Sequence, residues 1–410
     1  MRPRVVYLAD VRLPTEKAHG WQIAKMCEAF AAVGADVELR HPRRRQEDPA
    51  LNGVSVFEYY SVARSFRVRE IPGPDVVAWE PRLAEAISRP LIQGWSALWE
   101  TAATATARSS RPDLIYTRDL GVAVAAGALR APAAYEVHQL GGPRTRRAIR
   151  WMARRPQPRV VALTPYIRDA FIEDGFDASR IVVEGDAVDP SAYVDLPTVA
   201  QARARLGLPP DRPIVGYAGR FHMFHEEKGL TELVRAMAHV PVVDGREPLL
   251  VCVGGPLDRV AGYREVAAAA GVPAERLRFV DRVPNAEVPL WLRAFDVGVM
   301  PYPANPHFSL ALSPLKMFEY MAAGTPIVAT DLPSTRLALT DGENACLVAP
   351  DDPRAMGEGI AVLLADPARA RRLAVRAKGD VAALTWEARA DRILRSAGVL
   401  RAPVPAGVTG

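Results

Sequence analysis

Residues 313–330 read SPLKMFEYMAAGTPIVAT, and their punctuation is that of a short helix followed by a buried strand. Ser313 stands at an N-cap, Pro314 at the first helical position and Gly324 just past the end, so the spacing predicts a helix over 314–323. The apolar run after it predicts a strand over 327–329. The first turn of such a helix leaves backbone N–H groups without intrahelical partners, and with the helix dipole they suit phosphate oxygens. Lys316 and Glu319 are three residues apart and share one helix face. They read as a ligand-binding pair or as a surface ion pair. The small Ala322 and Ala323, which suit close helix packing, weigh against the second reading. Met317, Phe318 and Met321 read as core.

The same alternation of short apolar runs and helical periods extends to both sides, the pattern of parallel sheets covered by helices on both faces. Before this stretch, strands are expected at 5–9, 37–40, 54–60, 114–116, 134–137, 160–163 and 181–183, with helices near 21–33, 82–108, 144–154 and 165–174. A second series of strands is expected at 213–218, 249–253, 278–280, 297–300, 327–329 and 345–348. Helices at 228–239, 262–270, 286–294, 314–323, 353–365, 368–382 and 386–399 accompany it. Residues 185–210, richer in Asp and Pro, read as a linker with a short helix. Two doubly wound α/β domains facing a cleft are expected, with ligands at the carboxyl ends of the strands.

The composition narrows the function classes. The chain has 410 residues, 52 Lys+Arg against 47 Asp+Glu, a net charge of +5, and 49% hydrophobic and 24% charged residues. That is an ordinary globular protein of two or three domains. The only lysines are Lys17, Lys25, Lys228, Lys316 and Lys378, a skew that reflects a GC-rich coding sequence rather than a nucleic-acid binder. No RNP motif, zinc-finger spacing or long basic tail accompanies the charge, and no nucleic-acid partner is expected. Cys27, Cys252 and Cys346, odd in number and far apart in apolar stretches, read as buried thiols of a reducing compartment. The N-terminus lacks the apolar core of a signal peptide and no run reaches 18 apolar residues, so a cytoplasmic location is expected. The first strand, VVYLADVRLP, has no glycine after it, and the turn GYAGRF has the wrong spacing for a dinucleotide fingerprint. NAD and FAD are therefore not expected. No Asp-x-Asp motif or Cys/His spacing points to a metal, and no cofactor is expected.

Two further pieces precede the opening stretch. Gly216-Tyr-Ala-Gly219-Arg220 ends a strand and Lys228-Gly229 opens the next helix. Two glycines and two cations around a strand end and a helix start make an oxyanion cradle, although a surface loop carries such residues too. Leu250-Val-Cys-Val-Gly254-Gly255-Pro256 is a buried strand ending in two glycines, which lets backbone approach a ligand or simply turns tightly.

In order, Gly-Arg…Lys-Gly, Val-Gly-Gly-Pro, residues 277–301 (LRFVDRVPNAEVPLWLRAFDVGVMP) and SPLKMFEYMAAGTPIVAT resemble the family 4 glycosyltransferases, also called glycosyl transferases group 1. The resemblance covers nearly the whole chain and is strongest from 213 to 350. It implies the GT-B fold: an acceptor-binding Rossmann-like domain over 1–190, a linker over 191–210 and a nucleotide-sugar domain over 211–384. A helix over 385–400 would cross back to the first domain, and 401–410 would be a disordered tail. It further implies a retaining, metal-independent transferase of the hexosyltransferase type, acting in carbohydrate biosynthesis. Such an enzyme moves a sugar from a nucleotide-diphosphate donor, UDP- or GDP-linked, to an acceptor hydroxyl.

Residue roles implied by the resemblance follow position by position. Arg220 and Lys228 would clamp the donor diphosphate and hold the charge that develops on it. Arg282 and Val283 would line the base, and Glu319 would bind the ribose hydroxyls. Leu312, Ser313 and Leu315 would add backbone donors near the phosphates, with Lys316, Gly219 and Gly254 completing the donor site. The first acid of the family's E-x7-E motif would fall at Ala311, a departure. His307 and Ser309 are polar candidates to replace it, or ordinary loop residues. In the first half, Glu136-Val-His138 ends a strand where a family histidine contacts the donor sugar, although a lone histidine is also an ordinary structural residue. Gly20 and its neighbouring N–H groups would approach the phosphate or sugar, and Arg12, Lys17 and His19 in the same loop are acceptor-side candidates.

No motif encodes the acceptor: an envelope glycan, a glycolipid and a small natural product all fit. The basic stretch 144–155 would suit an anionic bilayer, placing the protein at the inner face of the membrane, or form a solvated arginine face. Two other functions fit the same residues. One is a non-transferring relative such as a nucleotide-sugar epimerase or phosphorylase. The other is a non-catalytic partner of another glycosyltransferase, which Ala311 favours and the converging cations oppose.

Overall fold

The computed structural model describes residues 2–78, 85–223 and 226–400. The chain divides into two compact units: unit 1 is built from residues up to Gly185 and from Trp386 onward, and unit 2 is Asp186–Thr385.

Unit 1 holds a seven-stranded sheet of β1 (Arg4–Leu8), β2 (Asp36–Pro42), β3 (Arg67–Ile71), β4 (Leu114–Thr117), β5 (Ala133–Val137), β6 (Arg159–Ala162) and β7 (Ile181–Val183). The order is β3-β2-β1-β4-β5-β6-β7, and every pairing is parallel. Between the strands run α1 (Ala18–Ala32), α2 (Val56–Tyr60), α3 (Glu85–Ser109), α4 (Leu120–Leu129), α5 (Pro143–Ala153) and α6 (Pro165–Glu173). The central strands β4 and β5 are buried throughout, which is why they read as continuous apolar runs rather than alternating ones.

Unit 2 holds β8 (Ile214–Ala218), a small antiparallel pair of β9 (His222–Met223) and β10 (Glu226–Glu227), then β11 (Leu249–Val253), β12 (Leu277–Val280), β13 (Val297–Met300), β14 (Ile327–Thr330) and β15 (Cys346–Val348). Six of them form a parallel sheet in the order β12-β11-β8-β13-β14-β15. Its helices are α7 (Val199–Arg205), α8 (Leu230–Ala236), α9 (Val260–Ala269), α10 (Val288–Ala294), α11 (Leu315–Ala323), α12 (Pro353–Ala365) and α13 (Pro367–Val381). The last helix, α14 (Trp386–Ser396), belongs to unit 1 and packs on α1, with Trp386 edge-on to Trp21 at 5.7 Å. Strand order reverses at β1/β4 in unit 1 and at β8/β13 in unit 2, the switch points where open α/β sheets bind ligands.

Four expectations need correction. Residues 54–60 hold helix α2, not a strand, because the Ser55 hydroxyl accepts the Glu58 N–H at 3.2 Å and starts a turn. The third strand is instead β3, a largely exposed edge strand whose charges blunt an otherwise open edge. Helix α4, expected only as an apolar run, lies between α3 and α5, and its wide apolar surface shows no helical period. Ser313 does not cap α11. Pro314 is the N-cap residue, and the Ser313 hydroxyl accepts the Asp186 N–H at 2.7 Å. Cys27 and Cys252 are buried thiols as expected, whereas Cys346 is only half-buried. The expected tail 401–410 and the start of the helix expected from 82 lie outside the described residues. Among the described residues no helix is long and apolar enough to cross a membrane.

Candidate functional site

In unit 2 the loops after β8, β11 and β12 are laced edge to edge beyond the end of the sheet. Gly219 N–H donates to Val253 O at 2.8 Å, Phe221 N–H to Gly255 O at 2.7 Å and Gly254 N–H to Val280 O at 3.1 Å. The close approach explains one glycine. A Cβ on Gly254 would lie 2.3 Å from the Gly219 carbonyl oxygen, and φ there is +132°. A second explanation holds at Gly229, where φ is +84° and a Cβ would meet the Pro301 carbonyl oxygen at 1.7 Å. That contact seats the start of α8 against the loop after β13.

This framework gathers positive charge. Arg220 is exposed and Lys228 half-buried, and neither side chain has a hydrogen-bond or ion-pair partner among the described residues. Burial first, then the charges of Arg220 and Lys316, push the Lys228 ammonium down to about 8. Lys316 is paired with Glu319, whose carboxylate is buried, so the pair is not the surface ion pair that was the alternative reading. Helix α11 begins with no side-chain cap, leaving the N–H groups of its first turn at the same end of the sheet. Like charges gathered at the ends of parallel strands, beside an uncapped helix start, favour an anion.

The other donor-side expectations fare unevenly. The Leu312 N–H donates to His307 O at 3.1 Å, so it is not a free donor. Leu315 opens α11, as the expectation required. Arg282 is exposed on the loop after β12, where Gly255 passes within 3.3 Å of its backbone nitrogen, and Val283 packs on the core. Ala311 is buried. Of the two polar residues near it, His307 has a buried Nε2 with no partner, and burial lowers its pKa, with Glu226 opposing and Lys228 assisting. The Ser309 carbonyl accepts the Ser334 N–H at 2.9 Å. A residue the sequence reading passed over is Tyr320, whose hydroxyl accepts the Ala218 N–H at 2.8 Å and ties α11 to the end of β8.

In unit 1 the expected residues separate into two groups. His138 and His19 come together near Arg118 at the carboxyl end of the sheet. Burial, Arg118 and then Lys17 push His19 down to about 4, with His138 also contributing. Burial and Arg118 push His138 down to about 4 as well, against the opposing pull of Glu136. Both rings are neutral at pH 7. Arg12 is instead held by Glu16 at 3.0 Å and by Glu47, so its charge is already matched. Lys17 is exposed at the N-cap of α1, and its carbonyl accepts the Gly20 N–H at 3.1 Å. Gly20 is thus no free donor. Its lack of a side chain makes room for the Tyr60 hydroxyl, which a Cβ would meet at 2.0 Å.

Glu136 and Arg389 are the residues the sequence reading missed. The Glu136 carboxylate is buried and takes hydrogen bonds from the Tyr116 hydroxyl and from Arg389 Nη2, the latter at 2.8 Å. Burial alone would raise its pKa, but Arg389, His138 and Arg118 outweigh that and hold it well below the usual carboxylate range. The i, i+2 spacing of Glu136 and His138, which puts both on one face of a strand, was the available signal. On α5, Ile149 and Met152 are buried, and the Arg155 guanidinium stacks on Trp151 at 3.1 Å. Arg146 and Arg150 both pair with Asp174. What this helix presents outward is arginine, not an apolar face.

The fold and sequence have clear relatives. Residues 212–366 match the family described as Glycosyl transferases group 1, and residues 20–192 match Glycosyltransferase Family 4. A D-inositol 3-phosphate glycosyltransferase of Xylanimonas cellulosilytica is 34% identical over 54% of this chain and 51% of its own length. That of Thermomonospora curvata is 35% identical over 54% of this chain and 52% of its own. The chain thus spans about half the length of the curated relatives it matches. Among solved structures, the sucrose-phosphate synthase of Thermosynechococcus elongatus superposes with a TM-score of 0.72 at 21% identity, covering 96% of this chain and 98% of that one. Anabaena HepE, solved in complex with UDP and glucose, gives 0.69 at 19% identity over 97% of this chain and 100% of that one. Two parallel-sheet domains of matching strand order, likeness to these structures and matches along both halves together place the chain in the GT-B fold, as a member of the group 1, family 4 glycosyltransferases.

Proposed function

We propose that the protein moves a sugar from a nucleotide-diphosphate donor to an acceptor hydroxyl with retention, without a metal ion. The observation that carries this reading is the pair of unmatched cations, Arg220 and Lys228, set beside Lys316 and the uncapped start of α11. A diphosphate there would meet fixed positive charge that is already desolvated, and the same charge would hold the phosphate as it departs. The glycosidic bond from the sugar's anomeric carbon to the phosphate oxygen breaks, and the acceptor oxygen bonds that carbon on the same face. The leaving phosphate takes the acceptor's proton. Glu319, steadied by Lys316, would accept hydrogen bonds from ribose hydroxyls, and Arg282 and Val283 would line the base. The donor would be UDP- or GDP-linked; HepE was solved with UDP. Among the described residues no group of three or more His, Cys, Asp or Glu side chains could hold a metal, so charge neutralisation falls to these cations in this reading.

The acceptor belongs to an envelope glycan, a glycolipid or a small natural product, met in the cytoplasm. A membrane contact through 144–155 would be electrostatic, carried by Arg144, Arg147 and Arg154, since the apolar residues of α5 are occupied. UDP or GDP should raise the melting temperature, and Lys228→Ala or Glu319→Ala should abolish both that rise and turnover. Absence of nucleotide binding at millimolar concentration would sink the proposal. Epimerised donor or free sugar phosphate, formed without an acceptor, would favour the non-transferring reading instead.

A further inference from the structure

The structure assigns Glu136, clamped by the buried Arg389 of α14, the task of holding His138 as a neutral Nε2–H imidazole whose Nδ1 lone pair is left to accept a hydrogen bond from a ligand hydroxyl. Naming that ligand a nucleotide-linked sugar rests on the proposed function; the tautomer rests on geometry alone.

His138 Nε2 lies 2.5 Å from Glu136 Oε1. An ionised carboxylate only accepts, so the ring nitrogen facing it carries the proton. Glu136 stays ionised because its other oxygen receives Arg389 Nη2 at 2.8 Å and the Tyr116 hydroxyl, while Arg118 Nε stands 3.7 Å from Oε1. Arg389 is fixed in turn. Its Nε donates to Gly185 O at 2.7 Å, its Nη1 to Met26 Sδ at 2.8 Å, and its side chain is only 1% exposed. A second proton on the ring would face Arg118, with His19 close by, and burial disfavours it further. With Nε2 protonated and the ring neutral, Nδ1 carries a lone pair. Nδ1 has no hydrogen-bond partner among the described residues, and the side chain is 23% exposed, so a ligand can reach the ring. A lone pair repels a phosphate oxygen and welcomes a hydroxyl. Arg389 lies 253 positions from Glu136 in sequence, which makes it a positioning residue supplied by the closing helix.

The test uses the full chain labelled with 15N-histidine at pH 7, with long-range 1H–15N correlation spectra. The His138 signals are identified by their loss in His138→Asn. The wild type should show Nε2 protonated and Nδ1 bare. In Glu136→Gln the amide oxygen should turn to the Arg389 and Tyr116 donors and its NH2 group to the ring, so the ring should switch to Nδ1–H. Arg389→Lys keeps the charge but cannot span Gly185, Met26 and Glu136, and should give a mixture of tautomers. Binding of UDP-glucose, measured by calorimetry, should hold within about tenfold in His138→Asn, whose amide oxygen falls near Nδ1, and drop further in His138→Gln. UDP alone should bind all of these variants equally.

A wild-type ring that is Nδ1–H or doubly protonated overturns the proposal, and needs no variant to fold. An unchanged tautomer in Glu136→Gln, or a wild-type pattern in Arg389→Lys, removes those residues from it. UDP-glucose binding indifferent to His138 overturns the hydroxyl contact. Failure of UDP to bind the wild type overturns the functional reading while leaving the tautomer assignment standing.

Discussion

An ammonium that titrates near pH 8 makes anion binding pH-dependent in a window where few other groups change charge. Lys228 is about nine-tenths protonated at pH 7 and about one-tenth at pH 9 when its pKa is about 8. Only the charged form attracts a diphosphate, and a bound diphosphate pulls the pKa back up. UDP affinity should therefore fall by up to about tenfold between pH 7 and pH 9. Lys228→Arg, charged throughout this range, should flatten the profile; any slope common to both proteins belongs to the nucleotide. Equal slopes, measured by calorimetry, would remove Lys228 from the anion site. The rarity of lysine in an arginine-rich chain had already singled out Lys228 and Lys316. Glu136 and Arg389 escaped the same reading because no periodicity or motif joins positions 253 apart. Only the folded sheet and α14 bring them together.

Elements explain which glycines matter. The crossing of the loops after β8 and β11 leaves no room at Gly254, where an added Cβ would strike backbone and take an unfavourable φ as well. Gly254→Ala should destabilise the protein by roughly 1–3 kcal/mol and lower its melting temperature by several degrees. It should also weaken UDP binding by displacing Gly219 and Arg220. Gly262, exposed in α9 with nothing within 4 Å of an added Cβ, is the contrast. Gly262→Ala should stabilise by up to about 1 kcal/mol and leave UDP affinity unchanged. Melting curves of the two variants, with and without UDP, check both. The buried strands were legible because parallel sheets covered on both faces need continuous apolar runs. The misread segments are those where a local signal competed. Val54–Tyr60 is rich in β-branched and aromatic residues, yet the Ser55 cap turns it into a helix. In α11 the expected Ser313 cap is instead drawn to the Asp186 N–H, which no local spacing could reveal.

At the scale of the whole molecule, the two units depend differently on chain continuity. Unit 2 is one uninterrupted segment, and its ends are sewn together: Val188 N–H donates to Leu384 O at 3.0 Å, and Val188 bridges Thr385 in parallel. It carries hydrophobic clusters of its own and all the diphosphate-site cations. A fragment of residues 186–385 should therefore fold alone, melt cooperatively and bind UDP. Unit 1 is discontinuous. Without α14, Glu136 loses Arg389 and stands as a buried carboxylate short of its strongest partner, a loss of about 3–5 kcal/mol against a total stability of only about 5–15. Trp21 and Met26 would also lose their contacts with Trp386 and Arg389. A fragment of residues 1–185 should consequently fail to melt cooperatively by itself. Adding residues 386–400 as a separate peptide should restore the transition, and the same peptide carrying Arg389→Met should not. If the 1–185 fragment folds as well without the peptide, the buried ion pair is dispensable to unit 1, and α14 adds surface to that unit rather than completing its core.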